Sequence, residues 1–360
     1  MTTQTGSGTG TAVSALPSSV VFGRCYCTLA ELLEDLELNG PAPSEAAMMR
    51  HIKRASQYVD KWVGQFIPTT QTRNFDGIGE KSLFVDPCLA ITSLSDDSDA
   101  ITATQYLLYP RNRHWENGPY TQVVVDPDAT ELSCFTNERD SVSIVGRWGK
   151  YEKHETTGST VANTTSIAAD GTSLVVANGS LICPGMVLLI ESEQLLVEAT
   201  GTPTDSTANV NETFSAADET LTVTDGTKVY AGEILKVDNE QMKVLSISGN
   251  DLSVVRGWAG TAKATHSSTT DVYAYRTYTV TRGVNGTTAA AHLNAVAISR
   301  YLPPYDVNWL CVQIAGLMHM KARSKFAGKV GNADMGETFY FNEFGASIKE
   351  VRRNYRLVQL

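Results

Sequence analysis

Apolar residues recur at steps of three and four between Met48 and Phe66: Met48, Ile52, Ala55, Val59, Trp62, Val63 and Phe66. That period predicts a helix with one buried face, running to about Phe66 and closed by Pro68. Ser44 is placed to cap it. A shorter helix comes before it. Thr28-Leu-Ala-Glu31 has the form of a capping box, and Gly40-Pro41 supplies the stop. Then the period falls to two. "TRNFDG" leads into "KSLFVDPCLAITSLS", "SDDSDAI" is a turn, and "QYLLYPRNRHWENGPYTQVVVDP" reads as two strands joined through Gly118-Pro119. "DSVSIVGRWGKY" is a further strand, with Val142, Ile144 and Trp148 on alternate positions. Residues 21–150 therefore read as helix, helix, strands. "EKHETTGSTVANTTS" reads as a polar linker. From about 165 to 300 the chain is rich in Thr, Ser, Val and Gly, with frequent turn signals and no helical period, which predicts all-β structure. Near Tyr301 "YLPPYDVNW" breaks that pattern. A helix is predicted from about Val307, with Leu310, Ile314, Leu317, Met318 and Lys321 on its face. After a break from Gly328 to Gly336, "FYFNEFGASIKEVRRNYRLVQL" predicts a short helix and a tail.

The β-rich part repeats itself. "SLVVANGSLICPGMVLLIESEQLLV" (173–197) aligns with "TLTVTDGTKVYAGEILKVDNEQMKV" (220–244) at a constant offset of 47, pairing Leu174 with Leu221, Gly185 with Gly232 and Glu193-Gln194 with Glu240-Gln241. A second pair, "RGWAGTAKATH" from Arg256 and "RGVNGTTAAAH" from Arg282, is offset by only 26. A tandem array keeps one offset. Two first halves followed by two second halves is the order that nesting produces. An outer module (about 165–200 plus 278–300) then holds an inner module (about 214–276) within it. Gly257, Gly260, Gly283 and Gly286 supply the left-handed positions of a tight turn. Arg256, His266, Arg282 and His292 are placed to pin it by hydrogen bonds or by pairing with Glu240 and Glu193. A ligand-binding role for the same Arg, His and Glu residues is the functional alternative.

Charge changes the picture in one respect. The 360 residues carry a formal charge of −10, which disfavours a general nucleic-acid-binding surface. Residues 160–277 hold 14 Asp and Glu against 6 Lys and Arg, whereas residues 301–360 hold 8 Lys and Arg against 5 Asp and Glu. No apolar run approaches the roughly 20 residues that span a bilayer, so no membrane partner is expected. Residues 1–20 lack a basic stretch followed by an apolar one and read as a flexible tail. The six cysteines are scattered and read as small buried residues in a reducing compartment. Catalytic patterns are missing. "AGKVG" lacks the Ser or Thr and the first Gly of a phosphate loop. "DDSDA" lacks the spacing of a calcium loop, and the six histidines do not cluster. Glu191 and Glu193, on alternate positions of one face, read as exposed acids, with a catalytic pair as the alternative. No enzyme activity, cofactor or metal is expected.

The flanking segments carry a recognisable order: "YCTLAELLEDL", "SEAAMMRHIKRASQYVDKWVGQFIP", "TRNFDG", "KSLFVDPCLAITSLS", "QYLLYP", a Gly-Pro-Tyr segment, "VSIVGRWGKY", and the Pro-Pro-initiated "YLPPYDVNWLCVQIAGLMHMKARS". This order resembles the head–tail connector (adaptor) proteins of tailed bacteriophages, over roughly residues 21–150 and 301–360. The expected fold is α+β: a helical adaptor core with long helices and a small antiparallel β region, carrying a large all-β insertion of two nested modules. The core comprises 21–155 and a C-terminal helix at 301–335, the insertion 160–300, and an interaction tail 336–360. The resemblance implies a homo-oligomeric ring of about twelve subunits, bound under the portal protein in the virion neck after assembly in the host cytoplasm. Genomic DNA would pass through its lumen without sequence-specific binding. Downstream stopper or tail-terminator neck proteins, and the capsid, would be further partners. The basic, aromatic tail would reach the portal through Tyr340, Phe341, Phe344, Lys349, Arg352, Arg353, Tyr355 and Arg356, a composition suited to interface hot spots. The alternative is a surface protein whose insertion binds a receptor or glycan, using Trp258, Tyr273 and Tyr275.

Overall fold

The structure is a computed structural model that describes residues 20–36, 44–113, 115, 118–323, 329–330, 339–340 and 345–357. Two helices open it, α1 (Leu29–Asp35) and α2 (Glu45–Trp62). The capping box of α1 forms: the Glu31 amide donates to Thr28 Oγ1 at 3.3 Å, and the Thr28 amide donates to the Glu31 carboxylate at 2.8 Å. Ser44, in contrast, makes no side-chain cap to α2. Helix α2 ends at Trp62, before the expected Phe66, because Gly64 turns the chain with φ of 120°. That early exit leaves Trp62 47% exposed, although its spacing places it on the buried stripe.

A six-stranded antiparallel sheet follows, from β1 (Thr69–Phe75), β2 (Ser82–Asp96), β3 (Asp99–Ile101), β4 (Tyr106–Tyr109), β5 (Tyr120–Val125) and β6 (Val142–Trp148). Its main path is β1-β6-β2-β5-β4. Val142, Ile144 and Trp148 point inward from β6, and Trp148 Nε1 donates to the Gln71 carbonyl at 2.8 Å. The expectation of a helical core with a small β region is therefore wrong. Among the described residues, four α-helices stand against twenty-two strands. Three antiparallel sheets have six strands each, and one of them lies inside the part expected to be mainly helical. The alternating Val, Ile, Leu and Thr residues of 69–148 build a full sheet with its own buried core of Leu83, Val123, Phe135 and Trp148, so the helices form one layer beside it.

The next strands are β7 (His154–Thr160), β8 (Ser166–Ile167), β9 (Ser173–Val175), β10 (Val187–Ile190), β11 (Glu193–Thr200), β12 (Thr204–Asn209), β13 (Thr220–Thr222), β14 (Ile234–Val237), β15 (Glu240–Ser248), β16 (Asp251–Val255), β17 (Asp271–Ala274), β18 (Thr277–Thr281), β19 (His292–Leu293) and β20 (Ala297–Tyr301). Twelve of them make two sheets with one strand order, and β8 pairs with β19 in a two-stranded ribbon. The outer reads β7-β20-β10-β11-β18-β9 and the inner β12-β17-β14-β15-β16-β13. Each strand of one has its counterpart in the other. In the inner sheet β15 and β16 are joined by a tight turn at Gly249-Asn250. In the outer sheet that turn is replaced by the whole inner sheet, between β11 and β18. The polar "linker" at 154–160 is edge strand β7, paired with β20. Its Thr residues suit a half-exposed strand as well as a loop.

The chain closes with α3 (Tyr305–Arg323), the ribbon β21 (Lys329–Val330) with β22 (Phe339–Tyr340), and α4 (Gly345–Asn354). Helices α2 and α3 pack together through Ile52, Ala55, Val59, Leu310, Cys311 and Ile314. Their shared core continues into the outer module through Val187, Leu196 and Val284. Burying each of these aliphatic side chains contributes about 1.5–3 kcal/mol. Among the described residues, no helix is long and apolar enough to cross a membrane.

Candidate functional site

Glu193 opens β11 and Glu240 opens β15. Each follows a turn whose acidic residue takes left-handed backbone, Glu191 at φ of 54° and Asp238 at φ of 50°. The glutamate then points into its module, and the Arg-Gly-x-x-Gly-Thr loop closes over it. In the inner module Glu240 accepts from Arg256 Nε at 2.6 Å and Nη2 at 2.7 Å, and from the Gly257 and Ala264 amides at 3.1 and 2.9 Å. His266 Nε2 lies 3.0 Å from the same carboxylate, and His266 Nδ1 lies 2.7 Å from Asp238. In the outer module Glu193 takes Arg282 Nε and Nη2 at 2.7 and 2.6 Å, the Gly283 and Ala290 amides at 2.9 and 3.0 Å, and His292 Nε2 at 2.7 Å. His292 Nδ1 meets Glu191 at 2.7 Å. The spare Arg282 donor reaches the Ala168 and Gly171 carbonyls, and that of Arg256 the Ser215 and Asp218 carbonyls, positions again 47 apart.

Both glutamates are fully buried. Burial alone would push the Glu240 carboxyl up. The Arg256 guanidinium, the Ala264 and Gly257 amides and His266 outweigh it and hold Glu240 down at about 2. Burial likewise opposes, and Arg282 with the Ala290 and Gly283 amides and His292 overcomes, in lowering Glu193. A carboxylate whose oxygens already accept five hydrogen bonds has no lone pair left to hold a ligand. The cluster is therefore a structural knot, written twice. Six of the eight loop residues singled out in the sequence bond to these glutamates, Arg256, Gly257 and His266 in one knot and Arg282, Gly283 and His292 in the other; Gly260 and Gly286 turn the same loops at φ of 80° and 78°. Glu193 is at the centre of one and is not the exposed acid that strand alternation suggests; Glu191 stays on the surface.

The outer loop also docks. Asn285 donates its backbone amide to the Val21 carbonyl at 2.8 Å, its side chain accepts from the Gly23 amide at 3.1 Å, and Gln194 accepts from Asn285 Nδ2 at 2.9 Å. At Gly286, φ of 78° and a Thr70 carbonyl that would lie 1.9 Å from a Cβ leave room for glycine alone.

The tail residues fall in two places. Phe341 and Phe344 lie outside the described residues, and Tyr340 stands in β22. Lys349, Arg352, Arg353, Tyr355 and Arg356 belong to α4 and the turn after it, which fold back on the helix layer. Tyr355 packs edge-on against Phe66 with ring centroids 4.8 Å apart, and its hydroxyl donates to Asp306 at 2.7 Å. Together with Lys61, Trp62, Gly64 and Lys150, these residues line a pocket of about 600 Å³. Six cations face it and no carboxylate does. Among the described residues, none of the six forms an ion pair. Lys150 donates to the Val63 carbonyl at 2.6 Å, closing the end of α2; burial and nearby Arg352 lower it to about 8. Lys61, Trp62 and Lys150 are too far from the tail in sequence for any local pattern to join them to it. Trp62, in the pocket lining, is 47% exposed, and Tyr58 of α2 and Tyr305 and Trp309 of α3 are 44%, 87% and 49% exposed.

Trp258, half-buried, is covered by Lys243 Nζ at 5.0 Å from its ring centre, and Tyr275 is engaged by Gln241 at 2.8 Å. No protein-family model matches this chain, and no curated protein matches it either.

Proposed function

We propose that this chain is a structural assembly protein, a head–tail connector that forms a ring beneath the portal of a tailed bacteriophage. The observation that carries the reading is the cationic pocket with exposed Trp62 in its lining. Arg and Lys without ion-pair partners beside an exposed Trp are the composition of a protein–protein hot spot. It stands out on a chain whose net charge is −10. The partner face it suits is acidic with apolar anchors, as a portal rim would offer. The two knots support the same reading, since they spend their ionisable side chains on holding loops in place. An acidic surface elsewhere suits a lumen through which DNA slides without being gripped. The receptor- or glycan-binding alternative draws less support, because Trp258 and Tyr275 already have partners within the chain.

The test is electron microscopy with mass measurement of the purified protein, alone and with a candidate portal. The expected result is a ring coaxial with the portal, and loss of that complex in an Arg352→Glu/Arg353→Glu variant that still folds. A monomer that engages no portal and binds cell-surface glycans would overturn the reading.

A further inference from the structure

The two modules share a surface that is covered in one and bare in the other. In the outer sheet Val187, Leu196 and Thr281 form a cross-strand row. Glu198 stands in a bulge of β11 beside that row. The N-terminal segment and α2 lie over it: Val187 and Leu196 are each 3% exposed, Glu198 pairs with Lys53 of α2, and Val284 at the loop tip is fully buried. The inner sheet repeats the row in the same register as Ile234, Lys243 and Val255, with Leu245 in the same bulge. Among the described residues no helix or N-terminal segment covers it; only the Lys243 side chain lies over Trp258. Leu245 is 57% and Val255 39% exposed, Ile234 and Trp258 are half-buried, and Ala259 is exposed. Among the described residues the Ala259 amide makes no bond to another segment, whereas the equivalent Asn285 amide donates to Val21.

We infer that the inner face is a docking site for an amphipathic helix of another protein chain, one that carries a carboxylate on its apolar stripe. The helical form follows from the sister module, where a helix lies over the same row and the same bulge. The carboxylate follows from an exchange of polarity. The outer module places Glu198 in the bulge and meets a lysine of the helix. The inner module places leucine there and puts its charge two residues earlier, at Lys243. Leu245 and Val255 supply the apolar contact, and Lys243, which lies over Trp258, the cation. A symmetric contact of two copies through this face would bring two Lys243 ammonium groups into it, with no carboxylate among Ile234, Lys243, Leu245, Val255 and Trp258 to pair them, which disfavours self-contact. The inference stands apart from the connector proposal and does not need a ring.

The experiment uses the full chain and two stapled helical peptides of residues 44–63, one with the native Lys53 and one with Lys53→Glu, each labelled for fluorescence anisotropy. The Lys53→Glu probe is expected to bind more tightly. Lys243→Glu should weaken that probe at least tenfold and reverse the preference, and Leu245→Asp should weaken both. Both positions are on the surface, and circular dichroism checks that the variants fold. Binding unchanged by either variant would overturn the inference. So would concentration-dependent self-association that Leu245→Asp abolishes while probe binding persists, because the face would then belong to a second copy.

Discussion

Glu193 and Arg282 grip each other across 89 residues of chain, and a second copy of the same grip, Glu240 with Arg256, lies wholly inside that span. Each pair joins a hairpin to a loop, and each is sealed by a histidine. Removing one partner strands a buried guanidinium, at a cost of about 3–5 kcal/mol. Glu240→Ala is therefore expected to unfold the inner sheet in a separate, earlier urea transition. Glu193→Ala, whose module shares its core with α2 and α3, is expected to lower the main transition. Hydrogen exchange on residues 204–274 separates the two outcomes.

The acid response follows from the depressed carboxylates. Glu240 is held at about 2 in the fold, against an ordinary value near 4.5. Its stabilisation is complete above pH 4.5 and is lost as pH falls toward 2. The inner module should hold at pH 5 and loosen between pH 4.5 and 2. A Glu240→Gln variant should show a flatter profile over that window, in unfolding monitored by circular dichroism.

A second window lies in the helix layer. His51 and His319 face each other from α2 and α3 with ring centroids 5.9 Å apart. Burial lowers both, aided for His51 by His319, Arg50 and Arg54, and for His319 by Arg323. Both are neutral in the fold and protonate more readily once unfolded. The contribution from this pair is thus present above pH 6.5 and falls as the pH drops below it. His51→Gln should reduce the slope of melting temperature against pH between 6.5 and 5.

Glycine positions make a contrast. Gly286→Ala would drive a methyl into the Thr70 carbonyl and push the loop off the first sheet, while Gly249, also at positive φ, faces open space. Gly249→Ala should cost about 1 kcal/mol from backbone strain alone. Gly286→Ala should cost more and raise protease sensitivity near Val21. Chemical denaturation of the two variants side by side measures the difference.

The thiols are ranked by burial. Cys134 is exposed, whereas Cys25, Cys27, Cys88 and Cys311 are buried, and burial raises Cys88 to about 12. One thiol should react quickly with a disulfide reagent in the native protein, and Cys134→Ser should abolish that phase.

Nesting was legible because the knot needs the same residue types at the same spacing in both copies, so buried chemistry left a repeat on the surface of the sequence. The α1 capping box was legible for a similar reason, being local. The balance of helix and sheet was not: periodicity marks each strand of 69–148 but does not say that they close into one six-stranded sheet. Trp62 continues the helical stripe in sequence, yet the chain leaves the helix there. The cationic pocket draws on residues near 61, 150 and 350, and only the fold brings them together. The exposed row of Ile234, Lys243 and Val255 is visible only once the strands are in register.

The insertion point at β11 and β18 also sets an order of events. Glu240 waits 16 residues for its arginine and Glu193 waits 89, a difference in loop-closure entropy of about 1.5 kcal/mol. The inner sheet is contiguous and can close as soon as it leaves the ribosome. Once closed, it holds its two ends together, with the Gly201 amide bonded to the Thr277 carbonyl at 2.8 Å. A long gap in the outer module then behaves as a short one. The guest works as a clasp for its host, drawing β11 and β18 into pairing distance before the last strand of the outer sheet has been made.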